Sequence, residues 1–176
     1  VAAVAIAAVV VAAALISSAS RGTARSSGAV YPPVAITGVS VFMVNNRPPD
    51  DPSGTRYVFD GNPNTTWDTA PYGSPDFGGL YPGIGLAIEL PSLRRVHQLE
   101  VTSPTAGWSA QAYTAKASIP SPSPLAAWGA PVTTQSGVGS GTTVFDLGDR
   151  SAGWVLLWLT NLGAARQVKI AEVTLR

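Results

Sequence analysis

Phe59-Asp60-Gly61-Asn62-Pro63-Asn64-Thr65-Thr66-Trp67-Asp68-Thr69 is the stretch on which the fold turns. Asp60-Gly61 is a tight-turn dipeptide, and Asn62-Pro63 adds a second turn signal. Asp and Asn side chains bond their own backbone a residue or two further on, and glycine takes positive φ without a steric penalty. The segment is therefore expected to fold back on itself and then place Trp67 in a core. A buried Trp removes on the order of 150–250 Å² from water, so Trp67 is read as a peg that fixes the loop.

On both sides of this loop the chain consists of short β-like runs separated by Gly/Pro turns. Residues 34–44 are rich in β-branched side chains. Ile84, Leu86, Ile88 and Leu90 alternate with Gly85, Ala87 and Glu89, and the alternation stops at Pro91. His97, Leu99 and Val101 give a second alternation, and residues 108–115 a weaker third. Thr143, Phe145 and Leu147 share a face, and 154–162 is continuously apolar, the pattern of a strand buried on both sides. The last segment points Ala171, Val173 and Leu175 inward and Lys169, Glu172 and Thr174 outward. Residues 119–131, IPSPSPLAAWGAP, read as an irregular proline-rich excursion. No amphipathic helix is visible after residue 17, so the pattern predicts an all-β sandwich or jelly roll.

Upstream, Val1 to Ile16 is unbroken apolar sequence, and the first charge is Arg21. A bilayer span needs about 20 apolar residues. A transmembrane helix fits this run better than a signal peptide ending at Ser18-Ala19-Ser20. A buried globular helix fits least, because the run has no polar face. Residues 18–33, rich in Ser, Ala and Arg, read as a flexible linker. The division is thus a transmembrane helix at 1–17, a linker at 18–33 and a β-domain at 34–176. A chain that begins at Val1 without Met is expected to be a piece of something longer.

Composition narrows the function. There is no Cys, which excludes disulfides and zinc–thiolate sites. Of 11 basic residues, Arg21 and Arg25 lie in the linker, which leaves nine against 10 acidic residues from position 26 on. That balance speaks against nucleic acid as a partner. His97 is the sole histidine and sits beside Arg94 and Arg95, with no catalytic task assigned to it. Glu89, Glu100 and Glu172 all lie on strands, no Gly-rich phosphate loop occurs, and an enzymatic role is not expected.

Residues 70–85, APYGSPDFGGLYPGIG, gather Tyr72, Phe77 and Tyr81 around Asp76. Loop aromatics at one end of a sandwich stack on sugar rings, and Asp76, Arg47 or Asn45 could bond hydroxyls. Tyr72, Asp76, Phe77, Tyr81 and Arg47 are therefore the candidate ligand residues. The plainer reading is that the aromatics only pack the loop onto the sandwich. It is slightly favoured, since Tyr81-Pro82-Gly83 looks like a structural turn.

The opening stretch, with Asp60, Gly61, Thr65 and Trp67 in their places, resembles the signature loop of discoidin-like domains, the coagulation-factor type C or galactose-binding-like sandwiches. The resemblance implies a discoidin-like jelly-roll β-sandwich, here preceded by one membrane helix, and a binding module rather than a catalyst. It also implies a candidate structural calcium under the loop, held by Asp60, Asn62, Thr65 and Glu172. The neutral amides of Asn62 and Asn64 weaken that site, and the alternative is that Asp60 only caps its turn. The order of apolar run, linker, FDGNPNTTWDT, LYPGIGLAIELP, VTSPTAG and WVLLWLTNLG is similar to that of the C-terminal extracytoplasmic domains of actinobacterial MviN proteins. These are relatives of the MurJ lipid II flippase. Arg21 and Arg25 alone would place the domain in the cytoplasm; the resemblance places it outside a cell membrane. The expected function is a non-catalytic accessory domain contacting cell-wall glycan or another envelope protein. The alternatives are the sensor domain of a receptor-like serine/threonine kinase, or a structural spacer without ligand.

Overall fold

A computed structural model describes residues 30–176, and the apolar run at 1–16 and most of the linker lie outside the described residues. Among the described residues, no helix is long and apolar enough to cross a membrane. Helical structure there consists of three short 3-10 turns, Gly54–Phe59, Phe77–Gly79 and Leu125–Trp128.

Among the described residues, eight strands carry the fold: β1 (Gly38–Phe42), β2 (Trp67–Asp68), β3 (Ile84–Ser103), β4 (Trp108–Ala115), β5 (Thr133–Val138), β6 (Gly141–Asn161), β7 (Lys169–Ile170) and β8 (Glu172–Leu175). All pairings are antiparallel, in the order β1-β3-β6-β4-β5, with β8 on the far half of β3 and a separate β2–β7 ribbon. β3 and β6 are 20 and 21 residues long and serve both layers of the sandwich. Ile84–Glu89 pairs β1 and the 154–159 half of β6; residues 94–103 then pair the 141–152 half and β8. The strand expected to end at Pro91 instead continues, because a register break between Glu89 and Arg94 lets exposed Pro91, Ser92 and Leu93 loop out of the ladder.

The main core lies between the layers, with Ile84, Leu86, Ile88, Val155, Leu157 and Leu159 facing Leu99, Val101, Phe145, Leu147, Val173 and Leu175. Trp67 is fully buried within it, as the turn chemistry of its loop predicts. The opposite face of the same sheet is covered as well. Phe42, Ala87, Tyr113, Leu156 and Trp158 form a second cluster around Trp128. The proline-rich excursion supplies that cover: its 3-10 turn lays Trp128 edge-on against Phe42, with ring centroids 5.6 Å apart. Two buried faces explain why 154–162 carries no polar alternation. Gly85 is fixed by this packing, since a Cβ there would lie 2.5 Å from Leu156 Cδ1 and 3.0 Å from the Trp158 ring.

The compact unit spans Tyr31–Arg176, three residues longer at its start than the sequence indicates. Tyr31 stacks on His97, with ring centroids 4.0 Å apart, and its carbonyl accepts a bond from Arg176 Nη1 at 3.3 Å.

Candidate functional site

The Asp60–Thr69 turn closes through its own side chains. The Asn62 N–H donates to Asp60 Oδ1 at 2.8 Å, and the Asn64 N–H donates to Asn62 Oδ1 at 3.1 Å. Gly61 takes φ +77°, the left-handed conformation that this reversal needs. The Thr65 hydroxyl lies 2.9 Å from Asp60 Oδ2 and 2.8 Å from the Asn62 carbonyl oxygen. From the opposite side β8 brings in Glu172, which shares a shallow cleft with Phe59 and Gly61. All four residues of the expected calcium set therefore meet.

The electrostatics of this cluster are uneven. The Asn62 backbone N–H holds the Asp60 carboxyl below its ordinary range, with help from the Thr65 hydroxyl. Burial, and after it the Asp60 charge, pushes the Glu172 carboxyl up. Glu172 Oε1 is buried without any hydrogen-bond partner. Among the described residues no three Asp, Glu, His or Cys side chains converge as a metal cluster. A cation here would therefore rest on two carboxylates together with the Thr65 hydroxyl and the Asn62 carbonyl. Calcium accepts such mixed oxygen sets, so the residues present fit it.

The neighbouring loop turns its aromatics inward. Phe77 is fully buried, so its ring has no face open to a ligand. Tyr72 sits edge-on to Phe77 at 5.5 Å and to Tyr81 at 5.9 Å. Its hydroxyl donates to Asp50 Oδ2 at 2.9 Å; burial, and then that carboxylate, raises its pKa far above the ordinary tyrosine value. Asp76 is exposed and accepts a bond from the Ser74 hydroxyl. Of the five candidate ligand residues, the structure thus makes Phe77 and Tyr72 supports of the scaffold, leaves Asp76 at the surface, and joins Tyr81 to Arg47. The Arg47 guanidinium stands 5.6 Å from the Tyr81 ring centroid.

Beside Arg47 lies a cleft of about 330 Å³, walled by Asn45, Asn46, Pro49, Ser121 and Pro122 and floored by Val41 and Met43. The Ser121 hydroxyl accepts the Met43 N–H at 2.9 Å, which ties the proline-rich segment to the end of β1. The sequence offers no period or motif that would place Ser121 next to Asn45. Asp50 is the other residue that the sequence leaves unassigned. Its carbonyl accepts the Trp67 indole N–H at 3.1 Å, and its carboxylate accepts the Ala70 N–H at 2.8 Å, so one residue links the core peg to the aromatic loop.

This arrangement of strands and loops recurs in solved carbohydrate-binding modules. A chitosan-binding module, in complex with chitotriose, from a chitosanase/glucanase of Paenibacillus sp. IK-5 is similar at TM-score 0.57 and 16% identity, over 78% of this chain and 94% of that one. The CBM32 of AlyQ, in complex with 4,5-unsaturated mannuronic acid, is similar at TM-score 0.53 and 16% identity, over 83% of this chain and 98% of that one. A pectin-binding carbohydrate-binding module is similar at TM-score 0.57 and 13% identity, over 81% of this chain and 91% of that one. No family model and no curated protein matches the chain. The likeness establishes the fold, an antiparallel β-sandwich shared with these carbohydrate-binding modules.

Proposed function

We propose that residues 31–176 form a non-catalytic glycan-binding domain, with the Arg47–Tyr81 pair and the adjoining Asn45–Asn46 cleft as its contact surface. The observation that carries this reading is a guanidinium seated near an aromatic ring, next to a cleft walled by two amides and a hydroxyl. That set offers an apolar face for a sugar ring and donors and acceptors for its hydroxyls. The floor of the cleft, Val41 and Met43, belongs to the core, and the Met43 N–H holds the Ser121 hydroxyl in place. Sugar-binding neighbours of the same fold support the reading.

Two further parts belong to the proposal. Asp60, Asn62, Thr65 and Glu172 would hold a structural calcium, which would supply positive charge to the orphaned Glu172 oxygen and clamp the turn onto β8. The parent protein would be an envelope membrane protein of the MviN/MurJ type, anchored by the apolar run with this domain on the outer side. That context rests on the sequence resemblance and on the run at 1–16.

The test is retention of residues 31–176 on insoluble peptidoglycan and arabinogalactan. The expected result is binding to one of them that Arg47→Ala and Tyr81→Ala each weaken about ten-fold, with the melting temperature unchanged for exposed Arg47→Ala and lowered for Tyr81→Ala, whose ring packs on Tyr72. Retention on neither glycan, or retention indifferent to both substitutions, overturns the assignment of the cleft.

A further inference from the structure

The cleft beside Arg47 carries an unbalanced charge. Among the described residues, no acidic side chain lines it, and Arg47 belongs to none of the ion pairs. Its backbone N–H donates to Asn45 Oδ1 at 3.4 Å, while among the described residues its guanidinium donates to no protein oxygen. Arg56, Arg95, Arg166 and Arg176 differ in this respect, since each donates to a side-chain or carbonyl oxygen. The carboxylates of the neighbouring loop residues are engaged elsewhere. Asp50 Oδ2 accepts the Ala70 N–H and the Tyr72 hydroxyl, Asp51 Oδ1 accepts the Gly54 N–H at 3.0 Å, and Asp76 accepts the Ser74 hydroxyl. Arg47 is nevertheless held in position. The Asn45 bond closes a short turn, Pro48-Pro49 restrict the backbone that follows, and the Tyr81 ring backs the guanidinium. Tyr81 is itself braced edge-on by Tyr72.

We propose that the cleft selects sugars bearing a free carboxylate, with Arg47 reading the charge, a specificity that rests on the cleft being the glycan contact surface. A guanidinium presents its N–H groups as a planar fork that matches a carboxylate through two parallel bonds. One face of Arg47 lies against Tyr81, so its N–H edge is the part left for a ligand. One guanidinium balances one monoanion, which favours a carboxylate over a doubly charged phosphate ester. The floor of Val41 and Met43 is buried, and a charge pair beside an apolar surface is less screened than one in open water. Asn45 and Asn46 bring amide donors and acceptors for the hydroxyls of the same sugar. The Ser121 hydroxyl accepts the Met43 N–H and keeps its own proton to donate. Two sources carry such a group: a hexuronate in a polysaccharide, and the lactyl side chain of N-acetylmuramate where no stem peptide is attached.

Residues 31–176, which carry their own core, are titrated calorimetrically with pairs of sugars that differ only in the carboxylate. Oligogalacturonate and oligoglucuronate are each set against their carboxyl-reduced forms, and N-acetylmuramate is set against N-acetylglucosamine. In one of these pairs the acidic member is expected to bind about ten-fold more tightly than the neutral one, and that pair names the source. Arg47→Gln should bring the acidic member down to the neutral one and leave the neutral one little changed. Salt near 1 M, where the Debye length is about 3 Å, should remove most of the difference. Arg56→Gln, which discharges a guanidinium already bonded to the Tyr57 hydroxyl, should alter neither member. Equal binding of both members overturns the charge selection and leaves the cleft a site for neutral glycan. Binding of no member of any pair overturns it as well, and retention on insoluble glycan then decides separately whether the cleft is a glycan site. A preference for the acidic member that survives Arg47→Gln, or displacement of the bound acid by a lower concentration of galactose 6-phosphate, also overturns the proposal.

Discussion

The two consecutive loop segments around β2 have opposite internal arrangements. Asp60 to Thr69 turns oxygens toward one another and toward Glu172 of β8, whose Oε1 is buried without a donor. Ala70 to Gly83 turns its rings toward one another, and its buried hydroxyl finds Asp50. The first loop pairs Asp68 with Lys169 but sets Asp60 beside Glu172 with no cationic side chain on either among the described residues. The second is satisfied internally and presents only its rim, Tyr81 beneath Arg47. Polar loop residues thus leave an unpartnered carboxylate oxygen beside the first loop and serve as scaffolding in the second. What separates the two is whether each polar atom has found a partner.

Four experiments press on this contrast. The largest effect is expected from Trp67→Ala, which empties a fully buried position shared by both loops and should cost about 3–5 kcal/mol. A melt that moves by less than a few degrees would remove the peg from both. Next comes calcium: at about a hundred times its dissociation constant it should add roughly 2.7 kcal/mol to the unaltered domain. With Glu172→Gln that gain should be much reduced. An unchanged melting temperature across calcium and chelator would leave the first loop no different in kind from the second.

The calcium gain should also depend on pH. The Glu172 carboxyl is raised in the folded domain, so ionising it opposes folding; without a cation this penalty disappears as pH falls through its raised pKa. Asp60 is lowered and stays ionised across that window. Because calcium needs both carboxylates ionised, its stabilisation should begin to shrink at a pH above the ordinary glutamate range. Thermal melts with and without calcium at a series of pH values read this directly, and a gain that is flat down to the ordinary range contradicts it. A smaller effect is expected from Tyr72→Phe, which removes one hydrogen bond while Asp50 keeps the Ala70 N–H, at a cost of about 1 kcal/mol in a denaturant titration. The same variant should leave glycan retention unchanged, and a loss there would return Tyr72 to the contact surface.

The strands and the buried Trp67 were legible in the sequence, because period-two patterning and a turn motif act locally, whereas the approach of Glu172 to Asp60 was only implied by the resemblance of the loop. The continuous strand β3 was not. Pro91 reads as a stop, whereas on this strand it falls where the ladder is already interrupted. Nor was the cover over the second hydrophobic face. Residues 119–131 have the composition of a solvated excursion, and the patch they bury is assembled from Phe42, Tyr113, Leu156 and Trp158, which come from three different strands. In the same way, Ser121 and Asn45 line one cleft although 76 positions separate them, and no local signal encodes such a meeting.

Val34 donates its N–H to the Leu175 carbonyl oxygen at 2.8 Å, so the first and last strand-like residues of the domain are bridged. Residues paired in this way have Cα atoms about 5.5 Å apart. A chain that passes through such a domain leaves almost where it entered, and gains next to no length from the 140 residues between. As a spacer the domain would therefore be nearly useless. Tension applied across its two ends would pull directly on the Val34–Leu175 bridge and peel the edge of the sheet open bond by bond, instead of shearing whole strands past one another.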